Sequence, residues 1–393
     1  MRRIGVDERR ARLGLRHHLA PQARASGAVE VARDLVALHG TDPASVFLAL
    51  WARMRAAEPA AIERALYEER VLLRILGMRR TVFVVPLEVA PIVQAACARA
   101  IAERERGRTI QLLHQAGIAN DAGTWLEEVE EATVRALVAR REATAAELSE
   151  DEPRLREQFL LAEGKSYQAR QSVSTRILFL LAAEGRIIRG RPRGSWVSSQ
   201  YRWAPIDSWL PERAAEWPTE EARVELVRRW LAAFGPGTAA DLKWWTGWTA
   251  GQVTSALREI VPAEVDLDGT TGLVLADDLE PVAPAEPWAA LLPALDPTVM
   301  GWTGRRWFLG EHGPLLFDRS GNVGPTVWWD GRIVGGWAQR GDGEIAFRLL
   351  EAVGADAVAA VETAAEGLAG WLGQVRVTPR TRAPTAVERE LLA

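Results

Sequence analysis

The stretch Thr144-Ala145-Ala146-Glu147-Leu148 returns, with one acidic residue exchanged for another, as Thr238-Ala239-Ala240-Asp241-Leu242. In each, a threonine is followed three residues later by an acidic side chain, the pattern of a helix N-terminus whose first amides are capped reciprocally. Each stretch sits in the same order of elements. A helical pattern precedes it (Trp125 to Ala139, and Glu220 to Phe234) and another follows it (Ser172 to Ala183, and Thr249 to Ile260). A hairpin then follows each. The first runs from Gly185-Arg186-Ile187-Ile188-Arg189-Gly190-Arg191-Pro192-Arg193-Gly194 through Trp196-Val197-Ser198 to Tyr201-Arg202-Trp203. The second joins Val265-Asp266-Leu267 to Leu273-Val274-Leu275 through Asp268-Gly269-Thr270-Thr271-Gly272. Three helices and a hairpin make a winged helix. The period is about 94 residues, far beyond a solenoid repeat, so the units are tandem domains.

The residues before them read the same way. Val6 to Leu19 is amphipathic, and apolar positions at Val31, Leu35 and Leu38 predict a helix from Val29 through Leu38. It breaks at His39-Gly40-Thr41-Asp42-Pro43, where Asp42 is placed to cap a second helix, Ala44 to Met54, with Pro43 at its first position. Pro59 starts another helix, and Thr81 to Val85 reads as a strand led in by Arg79-Arg80. A group of His, Thr and Asp is thus held at a tight joint. Taken alone, that joint reads first as a capped connector with an incidental histidine.

Composition narrows the classes. One cysteine, Cys97, excludes a disulfide framework and a cysteine-based zinc cluster, and five scattered histidines show no metal-site spacing. The N-terminus has no apolar signal core and no span is long enough to cross a membrane, so a cytoplasmic protein is expected. Net charge is −4, which does not advertise a nucleic-acid binder. The distribution says more. Apart from Lys165 and Lys243 the basic residues are arginines, clustered at Arg9-Arg10-Arg12-Arg16, Arg79-Arg80, Arg104-Arg106-Arg108, Arg189-Arg191-Arg193, Arg305-Arg306 and Arg376-Arg380-Arg382. Any one cluster is ordinarily a solvated face. Trp244, Trp245 and Trp248 are expected in a core, with stacking on DNA as the rival.

From residue 281 the pattern changes. Pro281, Pro284, Pro287 and Pro293 mark a linker, and Asp330-Gly331 between two apolar runs signals a hairpin. Further strands and a helix, Ala355 to Leu372, complete a β-rich α+β unit.

Five strings carry a resemblance over nearly the whole chain. They are Leu38-His39-Gly40-Thr41-Asp42-Pro43, Met78-Arg79-Arg80-Thr81-Val82-Phe83-Val84-Val85-Pro86, Asp241-Leu242-Lys243-Trp244-Trp245-Thr246-Gly247, Leu292-Pro293-Ala294-Leu295-Asp296-Pro297 and Asp330-Gly331-Arg332-Ile333-Val334-Gly335. In this order they resemble the bacterial winged-helix DNA-binding family that includes the AlkZ- and YcaQ-type DNA glycosylases. The resemblance implies a mainly α chain with β wings: winged-helix domains at 1–118, 119–210 and 211–283, then a C-terminal β-rich, barrel-like α+β unit at 284–393. It implies hydrolysis of the N-glycosidic bond of bulky N7- or N3-alkylated purines in double-stranded DNA, including unhooking of interstrand crosslinks, with no cofactor and no metal.

Characterised members carry a Gln-x-Gln or Gln-x-Asp pair where this chain has His39 and Thr41. The expected catalytic residues are therefore His39, accepting a proton from water, Thr41, orienting that water, and Asp42, whose carboxylate is also a cap. The expected DNA contacts are Arg79, Arg80, Arg189, Arg191 and Arg193. With an ordinary histidine pKa of about 6.5, excision is expected to fall as pH drops and His39 becomes charged. A monomer associated with the nucleoid is expected. The rival functions are a non-catalytic winged-helix regulator and a scaffold for protein contacts. Absence of duplex binding at low salt would leave only the scaffold.

Overall fold

The computed structural model describes residues 1–161, 168–212, 216–377 and 383–393. Lys165, Arg380 and Arg382 lie outside them. The fold is a mixed α/β one, with five small sheets among the described residues.

Both threonine caps form as their spacing requires. Thr144 Oγ1 accepts from the Glu147 amide while Glu147 accepts from the Thr144 amide, and Thr238 and Asp241 do the same. They start the helices Ala145–Asp151 and Ala239–Thr246. Helices Ala122–Arg140 and Val173–Ala183 surround the first, Thr219–Phe234 and Ala250–Ile260 the second. The hairpins follow: Ile187–Pro192 with Tyr201–Pro205, and Ala263–Asp266 with Thr271–Val274. Two pairings were not foreseen. Gln158–Leu161 and Ala169–Ser172 form an antiparallel pair ahead of the helix Val173–Ala183. Arg2–Arg3 adds a parallel strand to Ala263–Asp266, so the N-terminus completes the third unit's sheet. Arg12 and Arg16 then ion-pair with Asp278 at 2.7 and 2.6 Å, and Arg12 is 1% exposed. That arginine cluster is internal glue, not a solvated face.

The first helical pattern ends earlier than its periodicity suggests. The helix covers Ala28–Asp34, Val36 takes a left-handed φ of 64°, and Leu38–His39 is a short strand. It lies along the edge of Val82–Pro86, with Leu38 opposite Val84 and His39 opposite Phe83. Leu72–Leu76 pairs on the other side of that strand. Leu35 and Leu38 keep the burial that their spacing called for, but Leu38 reaches it through a strand, because the β-branched segment offers its backbone an edge to pair with.

The C-terminal sheet is antiparallel in the order Ala289–Leu292, Thr326–Trp329, Arg332–Gln339, Ile345–Leu349, and the helix Ala355–Leu372 packs on it. The expected Asp330-Gly331 turn joins its middle strands with both residues at positive φ, as a tight two-residue hairpin demands.

The cores do not respect sequence order. Residues 113–203 bury a cluster of their own around Leu126, Leu148, Ile177 and Leu181. The largest cluster instead draws Phe83 from the first unit, Trp230, Phe234 and Trp245 from the third, and Trp302 and Trp328 from the C-terminal one. A fully buried ion pair, Arg53 to Asp296 at 2.6 and 2.9 Å, stitches the second helix's end to the C-terminal segment. No helix among the described residues is long and apolar enough to cross a membrane.

Candidate active site and nucleic-acid interface

Strand pairing, not a helix end, positions His39. Its neighbour Gly40 lies so close to the adjacent strand that a Cβ would meet the Phe83 carbonyl carbon at 3.2 Å, and its amide donates to Val82 O at 2.8 Å. Arg74, buried, donates to the Gly40 carbonyl at 2.6 Å. The His39 ring is 7% exposed and meets the Phe83 ring edge-on at 5.4 Å. Its Nδ1 is buried without a hydrogen-bond partner. Burial first, and the positive charge of Arg79 second, push its pKa down to about 3. The ring is therefore a neutral imidazole throughout the physiological range, which corrects the expected titration near 6.5.

His39 stands between two cavities and lines both, together with Thr81 and Asn322. The first, about 600 Å³, has Thr41, Arg74, Arg80 and Arg189 among its polar walls and Ile75, Phe179, Ile188 and Trp203 among its apolar ones. The second, about 570 Å³, is lined by Arg79, Arg305, Trp244 and Phe317. Arg80 lines the first and Arg79 the second, and both residues adopt left-handed backbone, φ 61° and 53°. Two non-glycine residues in that region are costly, and such strain gathers at functional sites. Arg80 also pairs with Glu105 at 3.1 Å.

Thr41 shares the first cavity with His39. Asp42 does not. It is 7% exposed, accepts from the Ala44 amide at 3.2 Å as the helix cap, and borders a separate cleft. The three expected catalytic residues are thus divided, two facing the cavity and one holding the turn.

The arginines of the second hairpin part company as well. Arg189 lines the first cavity, stacked near Tyr201 at 5.4 Å and Trp203 at 5.1 Å, with no ion pair among the described residues. Burial, aided by Arg74's charge, brings its pKa down to about 10. Arg191 is bound instead to Glu68 at 2.8 Å and Glu63 at 3.7 Å. Arg193 is exposed in the connecting loop. That loop is not a free tip: Trp196 is buried, stacked on Phe47 at 4.7 Å and against Trp371 at 5.6 Å.

Two contributors escaped the sequence reading. Arg74 is the one charge in the apolar strand Leu72-Leu73-Arg74-Ile75-Leu76, a signal that was present. Arg305 had been noted only as half of a basic pair. Among the described residues, the one group close enough to hold a metal ion, His18 with Glu30 and Asp34, lines neither cavity, and His18 already bonds Ala23 O and Asp34. Chemically, the arrangement offers a neutral hydrogen-bond acceptor and a hydroxyl flanked by guanidinium groups able to take phosphate oxygens.

A family model described as DNA glycosylase AlkZ-like matches residues 32–371. No curated protein matches the sequence. Among solved structures, DNA glycosylase AlkZ of Streptomyces sahachiroi superposes with a TM-score of 0.74 at 20% identity, covering 96% of this chain and 99% of that one.

Proposed function

Because the chain belongs to the AlkZ-like DNA glycosylase family, an enzyme family acting on DNA, we propose that it hydrolyses the N-glycosidic bond of N7- or N3-alkylated purines, bulky and crosslinked ones included, with His39 and Thr41 in the site. The observation that carries this reading is the position of His39, neutral and unpartnered at Nδ1, between two arginine-lined cavities.

The chemistry asks little of such a site. Alkylation leaves the purine cationic. When the bond from C1′ to N9 breaks, its electron pair goes to the base, which departs neutral, and positive charge passes to the sugar. Water then adds at C1′ and loses a proton. The enzyme's share is to hold that water and the strand in place. His39 accepts a hydrogen bond from the water and Thr41 orients it. With a pKa of about 3, His39 positions the water more than it keeps a proton, which leaves for solvent. Asp42 caps the helix that holds the turn. Arg80 and Arg189 meet backbone phosphates, with Arg79 on the other side; Arg193 adds an outer contact, and Arg191 acts through its carboxylate partners. No lysine lines either cavity among the described residues, which fits a hydrolase that forms no Schiff base.

In this reading the repeated order of helices and hairpin is that of three tandem winged helices, 1–118, 119–210 and 211–283, with the β-rich unit at 284–393, and the enzyme works as a monomer on the nucleoid. Incubation of the pure protein with duplex containing N7-alkylguanine, followed by base-release and abasic-site assays, tests it. Released base with strands cleaved only after alkali is expected. No release from any alkylated duplex would overturn the reading.

A further inference from the structure

Of the three tryptophans in Trp244-Trp245-Thr246-Gly247-Trp248, two are buried and Trp244 alone is half-exposed, on the wall of the second cavity. Its ring carries the Arg79 guanidinium at 4.1 Å and the Arg305 guanidinium at 4.9 Å, and Arg305 also lies 5.0 Å from the Phe317 ring. Gly247 makes room for this: it caps the helix at φ +75°, and a Cβ there would meet Arg79 Cγ at 3.1 Å.

Neither guanidinium has an ion-pair partner among the described residues. Arg79 Nε is buried with no hydrogen bond, and Arg305 has only a long contact to the Val299 carbonyl at 3.5 Å. Asp241 is near enough to be felt by Arg305, but both its oxygens are spent, one on Thr238, the other on the amides of Thr303 and Gly304. Two like charges held together on one indole, with no carboxylate between them, form an incomplete arrangement that an anion completes. Planar guanidinium forks match phosphate oxygens, and stacking fixes their orientation in advance. His39 lines the same cavity.

We propose that Arg79 and Arg305, held on Trp244, form a phosphodiester-binding site that fixes the lesion-bearing strand beside His39, with Arg305 and Trp244 as positioning residues. Which strand is held rests on the glycosylase reading; that a phosphate is held does not.

The test is the salt dependence of duplex binding by wild type, Arg305→Met and the double variant Arg79→Met/Arg305→Met. Loss of that one phosphate contact should flatten the slope of log K against log salt by about 0.9 in the double variant, and by less in Arg305→Met, where Arg79 still faces the phosphate. Arg305→Lys keeps the charge and folds without a new apolar surface; it should keep the slope while weakening binding, because the stacked fork is gone. A single neutral methylphosphonate linkage, moved along the lesion strand, should weaken wild type at one position and leave the double variant indifferent there. Slopes and methylphosphonate profiles that match wild type in folded variants would overturn the proposal. Wild-type base release, measured alongside, keeps the two readings apart. Release with unchanged slopes removes the phosphate site alone, and flattened slopes without release remove the assigned reaction alone.

Discussion

The pH profile of excision distinguishes a histidine that orients water from one that takes its proton. At an ordinary pKa of about 6.5, His39 would be about 97% protonated near pH 5, and a site needing the neutral ring would be about 25-fold slower there than at neutral pH. With the pKa near 3, only about 1% of the ring is protonated near pH 5, and the rate should be flat from there to pH 8. Single-turnover excision of N7-methylguanine from duplex, corrected for spontaneous loss, measures this. His39→Ala should lose about 100-fold, the lower end for a positioned acid–base group, because so weak a base contributes little proton transfer. His39→Gln, which keeps a neutral acceptor, should retain most of the rate. The same burial has a stability consequence. The unfolded chain binds a proton at His39 below about pH 6.5 and the folded one only near 3, so acid favours unfolding across that window, by on the order of 5 kcal/mol if the fold survived to its end. Circular dichroism at each pH keeps unfolding apart from catalysis. A rate that falls with a midpoint near 6.5 in wild type, and not in His39→Gln, would refute the orienting role.

Three further outcomes are expected. Arg189→Met should weaken duplex binding and its salt slope more than Arg191→Met, whose guanidinium already neutralises Glu63 and Glu68; equal effects in anisotropy titrations would place both on DNA alike. Asp42→Asn should leave thermal stability and excision near wild type, since Asn still caps and the side chain does not line the cavity, while Thr41→Ala should slow excision by less than His39→Ala; a large rate loss in a stable Asp42→Asn protein would restore the carboxylate to catalysis. Trp245→Ala should cost about 3–5 kcal/mol in denaturant unfolding, as for other buried tryptophans, and an unchanged midpoint would show that its pocket collapses without loss.

What the sequence disclosed was local. The threonine caps, the hairpins and the Asp330-Gly331 turn depend on residues a few positions apart, and each formed as read. Leu38 was read as the end of a helix because it continues the spacing of Val31 and Leu35, and only the distant edge of Val82–Pro86 makes it a strand residue. The site was legible in its residues and not in its geometry. His39, Thr41 and the arginines were found, but which arginines are neutralised depends on carboxylates such as Glu63, Glu68 and Asp278, whose approach no spacing foretells. The histidine's pKa could not be read either, since burial sets it. For the same reason Trp244 was grouped with its buried neighbours, when a turn of helix separates a core face from a cavity wall.

Trp196 ties the loop of the arginine hairpin down between Phe47 and Trp371. A hairpin loop so anchored has little room to swing or to mould itself to a partner. Little conformational freedom is left for the protein to lose on docking, and the work of fitting passes to the nucleic acid. On the proposed reading, undamaged duplex must bend or open to bring its backbone against this fixed hairpin, at a cost set by its own stiffness. A site whose stacking or pairing is already weakened by a bulky adduct meets that cost more cheaply. Discrimination can then arise from mechanical softness of the DNA, before any atom of the altered base is touched.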